Sequence, residues 1–174
     1  MKFLESDKIR LRAVEPADAG MMWEVENDSS QWLENGMAAP FSRRNLEVYA
    51  DSYDADPIRA GQIRFVCETI GTRRPAGLAD LYDISAVNRT AFAGIYILPP
   101  FRRKGHASEA LALMENYARL LLNLRVLAAK VAGSNHESIS LFEHAGYTLR
   151  GELPGWLMSG GETTPLCIFT KVLT

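Results

Sequence analysis

Between Ile95 and Ala107 the chain reads Ile-Tyr-Ile-Leu-Pro-Pro-Phe-Arg-Arg-Lys-Gly-His-Ala, an apolar strand that enters a basic turn and leaves it as a helix. From Gly105 to Leu122 the apolar residues Ala107, Ala110, Leu111, Met114, Tyr117, Ala118 and Leu121 recur at helical spacing, so this helix must lay one face on the sheet that the strand belongs to. The first amides of a helix have no partners within it, and the helix dipole is positive there, so the turn predicts an anion-binding cradle. Gly105 lets the backbone approach a bound group, and Arg102, Arg103 and Lys104 add charge where a phosphate needs it. A solvated basic turn is the plainer alternative for the same residues.

The remaining pattern predicts one α/β unit. Lys8–Val14 alternates Ile9, Leu11 and Ala13 with Lys8, Arg10 and Arg12 as a half-buried strand does, and Pro16 suits the first turn of a helix over 16–27. A second helix is expected near 42–52, with Ser42 as its cap. Strands over 62–68, 76–83 and 91–98, the first two joined by a turn at 71–75, suggest an antiparallel meander. After the main helix, 126–131 reads as a buried strand, 135–145 as a short helix closed by Gly146, and 147–152 and 166–173 as two final strands.

A chain of 174 residues with net charge −2 suits a single domain with an ordinary core, and has no basic excess for binding nucleic acid. Cys67 and Cys167 lie far apart without metal-ligand spacing, which predicts buried thiols; His106, His136 and His144 show no such spacing either. No apolar run reaches membrane-spanning length and the N-terminus lacks a signal-peptide core, so a cytoplasmic protein is expected.

The order of strand, cradle, helix, strand, helix and strand behind a meander resembles the GNAT superfamily of acyl-CoA-dependent N-acetyltransferases. Arg102-Arg103-Lys104-Gly105-His106-Ala107 resembles its acetyl-CoA motif Q/R-x-x-G-x-G/A, and Asn135 to Tyr147 resembles its later Asn, Ser, aromatic, Gly, aromatic block. Ile9-Arg10-Leu11-Arg12 with Glu15 and Asp18, and Leu149-Arg150-Gly151-Glu152-Leu153, extend the likeness over nearly the whole chain. Gly77 to Asp83, Leu122-Asn123-Leu124 and Gly151-Glu152-Leu153 are most similar to the spermidine acetyltransferase and ribosomal-protein N-terminal acetyltransferase branches. The fold implied is a mixed, largely antiparallel α/β (α+β) sheet flanked by helices, with a splayed central strand leading into the pyrophosphate turn.

The resemblance also implies a site. Backbone groups of Ile95, Tyr96 and Ile97 pair with the pantetheine arm of acetyl-CoA, and the amides of Arg103, Lys104, Gly105, His106 and Ala107, with Ser108, hold its pyrophosphate. Arg102 braces the turn, and Asn135 bonds pantetheine or simply caps its helix. The superfamily's frequent general-acid tyrosine is replaced by Phe142, and its frequent strand glutamate by Phe92, which leaves Ser140, Ser138 and Tyr147 as catalytic candidates. Asp80 and Asp83 fall where the polyamine-acetylating branch is acidic. Glu24, Glu26, Asp28 and Glu34, with Trp23 and Trp32, fall where the acceptor site is built, although solvated acids and core aromatics fit the same residues.

The expected reaction is direct acetyl transfer to a primary amine without a covalent enzyme intermediate or a metal, consistent with the lack of an activated Cys–His pair. The acceptor stays open among polyamines, a protein N-terminus and small or aminoglycoside-like amines, and a homodimer or larger homo-oligomer is expected from related enzymes. Two other readings compete. One is a catalytically weak acyl-CoA sensor, suggested by Phe92 and Phe142; the other is a nucleotide site, which the absence of a Walker-type Lys-Ser/Thr and of a full GxGxxG weakens.

Overall fold

A computed structural model describes residues 3–32, 37–53, 56–159 and 161–174. Seven strands form one sheet: β1 (Ile9–Ala13), β2 (Ile63–Thr69), β3 (Pro75–Ser85), β4 (Thr90–Ile97), β5 (Val126–Ala132), β6 (Thr148–Ser159) and β7 (Glu162–Val172). Their spatial order is β1-β2-β3-β4-β5-β7-β6, and every neighbouring pair is antiparallel except β4 and β5. The helices are α1 (Ala19–Glu26), α2 (Arg43–Asp51), a single turn α3 (Pro57–Ala60), α4 (His106–Leu120) and α5 (His136–His144). Parallel strands need a crossover, and α4 supplies it.

Alternation along the strands divides the core into two layers. Ile9, Leu11, Phe65, Cys67, Ala79, Leu81, Ala91 and Ala93 pack against Ala110, Leu111 and Met114 of α4. Val66 and Leu78 face the other way, against Met22 and Val25 of α1 and Leu46 and Ala50 of α2. Both cysteines are buried free thiols. The charged side chains of β1 do not face water as simple alternation suggests: Arg10 and Arg12 hold the buried carboxylate of Glu68, and Arg12 also pairs with buried Asp18.

The meander appears as expected. Three boundaries differ. The first helix begins as a 3-10 turn (Pro16–Asp18), because Asp18 and Glu15 close a capping box across it. Asp56 caps α3, which the sequence pattern did not signal. The last two strands are longer than expected: Pro154, Gly155 and Pro165 fall within or opposite a register shift between Leu153 and Leu157, where the ladder requires no proline N–H.

One feature of the sheet creates the site. β4 and β5 pair only through Thr90–Phe92 and Val126–Ala128. Beyond that point β4 continues beside β3 and β5 beside β7, so the sheet opens into a cleft between Gly94–Ile97 and Lys130–Ala132.

Candidate active site

Two cavities meet at the splay. One, about 880 Å³, runs from Ile95, Tyr96 and Ile97 past the turn at Arg102–Ser108 to the face of α5; the other, about 990 Å³, lies over the sheet toward α1 and α2. Ile95, Tyr96, Asn135 and Ser138 line both.

The turn forms a concave backbone surface. Arg103 (φ 59°) and Gly105 (φ 82°) are both left-handed, which winds successive N–H groups toward one side at the start of α4. The Lys104 carbonyl accepts from Lys8 Nζ (3.4 Å), and because the peptide is planar and trans the N–H of Gly105 points the opposite way. Gly105, His106, Ala107 and Ser108 line this cleft, and the imidazole Nδ1 of buried His106 has no hydrogen-bond partner. A glycine cradle at a helix start with an orphaned buried nitrogen beside it fits a phosphate-bearing cofactor.

The three cations do less there than their sequence suggests. Arg102 donates to the Ile97 carbonyl (2.8 Å) and lies over the Tyr96 ring, bracing the turn. Lys104 donates to the Pro100 carbonyl (2.9 Å), while Arg103 reaches across to Glu137 of α5 (3.3 Å). The turn offers an anion its backbone amides, with Arg103 in the cleft wall held only by a solvent-exposed pair to Glu137.

On the acceptor side, the β2, β3 and β4 residues facing α1 and α2 form the floor. Arg64 holds Asp80 through two bonds (2.7 and 3.1 Å) and Glu26 through a third (2.6 Å). Burial pushes the Asp80 carboxyl above its usual range, and the Arg64 charge offsets this only in part. Asp80 stands opposite Gly94, where a side chain would meet only the Tyr82 ring, so the floor stays open beside it. Tyr82 stacks on Phe92 and is driven by burial to a pKa of about 12, which keeps its phenol neutral. Asp83 is more exposed and pairs with Lys130 (3.7 Å). The sequence reading missed Arg64, Lys130 and Tyr82; its only available signal was that Arg64 falls on the polar phase of a strand.

Other candidates land elsewhere. Ser138 sits at the junction of the cavities, its N–H bonded to the capping side chain of Asn135 (3.0 Å), whereas Ser140 lines only the cofactor cleft and lies beside His144 (3.2 Å). Tyr147 lines neither cavity: it packs on Phe142 inside the core, and burial raises its pKa, with Glu115 adding to the effect. It is therefore removed from the catalytic candidates, because a phenol shut into the core cannot reach a reacting atom. Trp32 donates to the Glu26 carbonyl (3.0 Å) and does not line the acceptor cavity, so its place there is also corrected. Glu24 is exposed, and Asp28 accepts from Ser30 and Tyr96, hydrogen bonds that keep its pKa low. Glu34 lies outside the described residues.

Residues 8–148 match the Acetyltransferase (GNAT) domain family. The chain belongs to that family. It is an acetyl-CoA-dependent N-acetyltransferase acting on an amine, and the resemblance in its two motifs is borne out. The spermidine N(1)-acetyltransferase of Escherichia coli (strain K12) is 29% identical over 167 residues, covering 92% of this chain and 86% of that protein. A crystal structure of spermidine N-acetyltransferase from Vibrio cholerae in complex with CoA and spermine superimposes with a TM-score of 0.85 at 23% identity, covering 97% of both chains. A dodecameric structure of the Vibrio cholerae spermidine N-acetyltransferase does so with a TM-score of 0.80 at 25% identity, covering 97% of this chain and 95% of that one. The family match and the 29%-identical relative favour an enzyme over a sensor or a nucleotide-binding protein. Among the described residues there is no cluster of metal ligands, and no helix long and apolar enough to cross a membrane.

Proposed function

We propose that this enzyme transfers acetyl directly from acetyl-CoA to a primary amine of a small diamine or polyamine. The observation that carries the reading is the meeting of the two cavities at the β4 splay, where a thioester lying along Ile95–Ile97 is open to a group on the acceptor side. The amides of Arg103–Ala107 hold the pyrophosphate, Arg102 holds the turn in shape, and Asn135 fixes the start of α5 beside the pantetheine arm. Bound acetyl-CoA supplies an acyl group activated as a thioester.

The chain's residues then handle two protons. An alkylamine with a pKa of ~10.4 is neutral only about one part in a thousand near pH 7.4, so a group beside it must take a proton. Asp80, with a carboxyl more basic than usual and an open place beside it at Gly94, fills that role directly or through water. A departing thiolate is a weaker base, with a pKa of ~8.5 on the cysteine scale, and needs less help. The Ser138 hydroxyl at the junction passes its proton to the thiolate and regains one from solvent in the cofactor cleft, a route that needs no acidic group at Phe142 or Phe92.

A diamine or polyamine acceptor is supported by the named relatives and by Glu26, Asp80 and Asp83 around the cavity. Arg64 and Lys130 neutralise much of that charge, so binding draws on shape as well as on charge. A homo-oligomer is supported by Trp156 and Met158, exposed on the edge strand β6. The test is thiol release from acetyl-CoA with a short diamine, spermidine, spermine, a peptide N-terminus and an aminoglycoside in turn. Release dependent on diamine or polyamine supports the proposal, and preference for the peptide overturns it.

A further inference from the structure

We propose that Lys130 determines acceptor specificity by filling, from within the chain, an ammonium-binding subsite of the acceptor cavity. The inference rests on the amine-acetylating reading above and names which amines the site favours.

Lys130 stands on β5 two residues past the point where β4 leaves it, on the face turned to the acceptor cavity. Its ammonium lies 4.2 Å from the centroid of the Phe92 ring, 5.7 Å from that of Tyr82, and 3.7 Å from Asp83 Oδ2. The two rings are stacked, with centroids 5.5 Å apart. Asp83 is held with a left-handed backbone (φ 49°) where β3 and β4 shift register. Aromatic faces within ~6 Å of a cation, with a carboxylate alongside, are a recognition site for organic ammonium groups. Tyr82, Asp83 and Lys130 all line the cavity, so the subsite belongs to the acceptor's space.

An acceptor with a single amine carries no second ammonium to place against the two rings, so it does not compete for the position that Lys130 holds. A longer polyamine brings a distal ammonium toward a place already holding a cation. It must displace Lys130 or forgo the contact, and like-charge repulsion adds to the loss. The enzyme therefore favours short amines, and removing the Lys130 charge opens the subsite to long ones.

The experiment compares kcat/KM for propylamine, a short diamine and spermine in the wild type, Lys130→Met and Lys130→Arg, with Lys130→Gln in reserve should the methionine variant misfold. Lys130→Met is expected to raise the ratio of the spermine to the propylamine value about tenfold, the scale of one well-placed cation–π contact. Lys130→Arg keeps the wild-type ratio, and adding Asp83→Asn to Lys130→Met removes most of the gain. An unchanged spermine-to-propylamine ratio in Lys130→Met overturns the proposal. If no amine is acetylated by the wild type, the transfer reading fails on its own, and calorimetry of spermine with the CoA-loaded proteins decides the subsite. Tighter spermine binding by Lys130→Met then upholds it, and equal binding overturns it.

Discussion

Replacing Arg64 with methionine keeps much of the side chain's length and apolar body but removes the one charge shared by Asp80 and Glu26. In the native protein that guanidinium makes three bonds of 2.6–3.1 Å to the two carboxylates, and the three side chains are only 21%, 25% and 13% exposed. Breaking a fully buried ion pair by deleting one partner costs about 3–5 kcal/mol, while an exposed pair is worth ~0–1 kcal/mol. This partly wet cluster falls between them, and a loss of about 2–3 kcal/mol is expected in urea unfolding at neutral pH. For a chain of this size that corresponds to a fall in melting temperature of roughly 5–10 °C. The uncompensated carboxylates then repel, and Asp80, already biased by burial toward its neutral form, takes up a proton at higher pH. Combining Arg64→Met with Asp80→Asn removes both the guanidinium and the charge it served, and should restore at least half of the loss. A cost under about 0.5 kcal/mol for Arg64→Met, or a double variant no more stable than the single one, refutes the reasoning.

Further outcomes follow from other parts of the fold. Gly105→Glu places a side chain on a left-handed backbone (φ 82°), with its Cβ 2.9 Å from Lys8 Nζ and a negative charge at the cradle; acetyl-CoA binding by calorimetry should drop below detection while the far-ultraviolet spectrum is kept. Ser138→Ala should lower kcat about tenfold or more with little change in KM for acetyl-CoA, and Ser140→Ala should lower it less than about threefold, as steady-state kinetics will report. Glu68 is buried, which alone would raise its pKa, but hydrogen bonds from Arg10 and Arg12 outweigh this and hold it below the usual value. Its folded pKa is therefore depressed, so its contribution is present above the unfolded value of ~4.3 and is lost as pH falls through the folded one. Glu68→Gln should be destabilised at pH 7, with the gap to wild type shrinking below about pH 4 in urea titrations.

The parts of this account legible in the sequence are those set by neighbours along the chain. Strand, turn and helix around Gly105 follow one another directly, so apolar spacing and a single glycine located the cradle without knowledge of the fold. The acceptor floor was not legible, because it depends on register. Arg64 meets Asp80 only because β2 and β3 pair them across the sheet, and nothing local to either residue reports that pairing. Lys130 similarly meets Phe92 only where β5 parts from β4. The sequence places Arg103 and Lys104 at the cradle but does not show that Glu137 and the Pro100 carbonyl lie within their reach. The last hairpin runs through Pro154 and Pro165, beyond the expected 147–152 and 166–173, because the usual prohibition on strand proline lapses at a register shift that only the pairing reveals.

The most direct test of the central claim, that acetyl passes across the β4 splay between two simultaneously occupied cavities, is an initial-rate study of thiol release with acetyl-CoA and a short diamine both varied. The account predicts no release without amine, saturation in each substrate, and intersecting double-reciprocal lines, as required of a ternary complex. Parallel lines with acetylated protein accumulating before amine is added, or no release with any amine despite saturable acetyl-CoA binding, would contradict it.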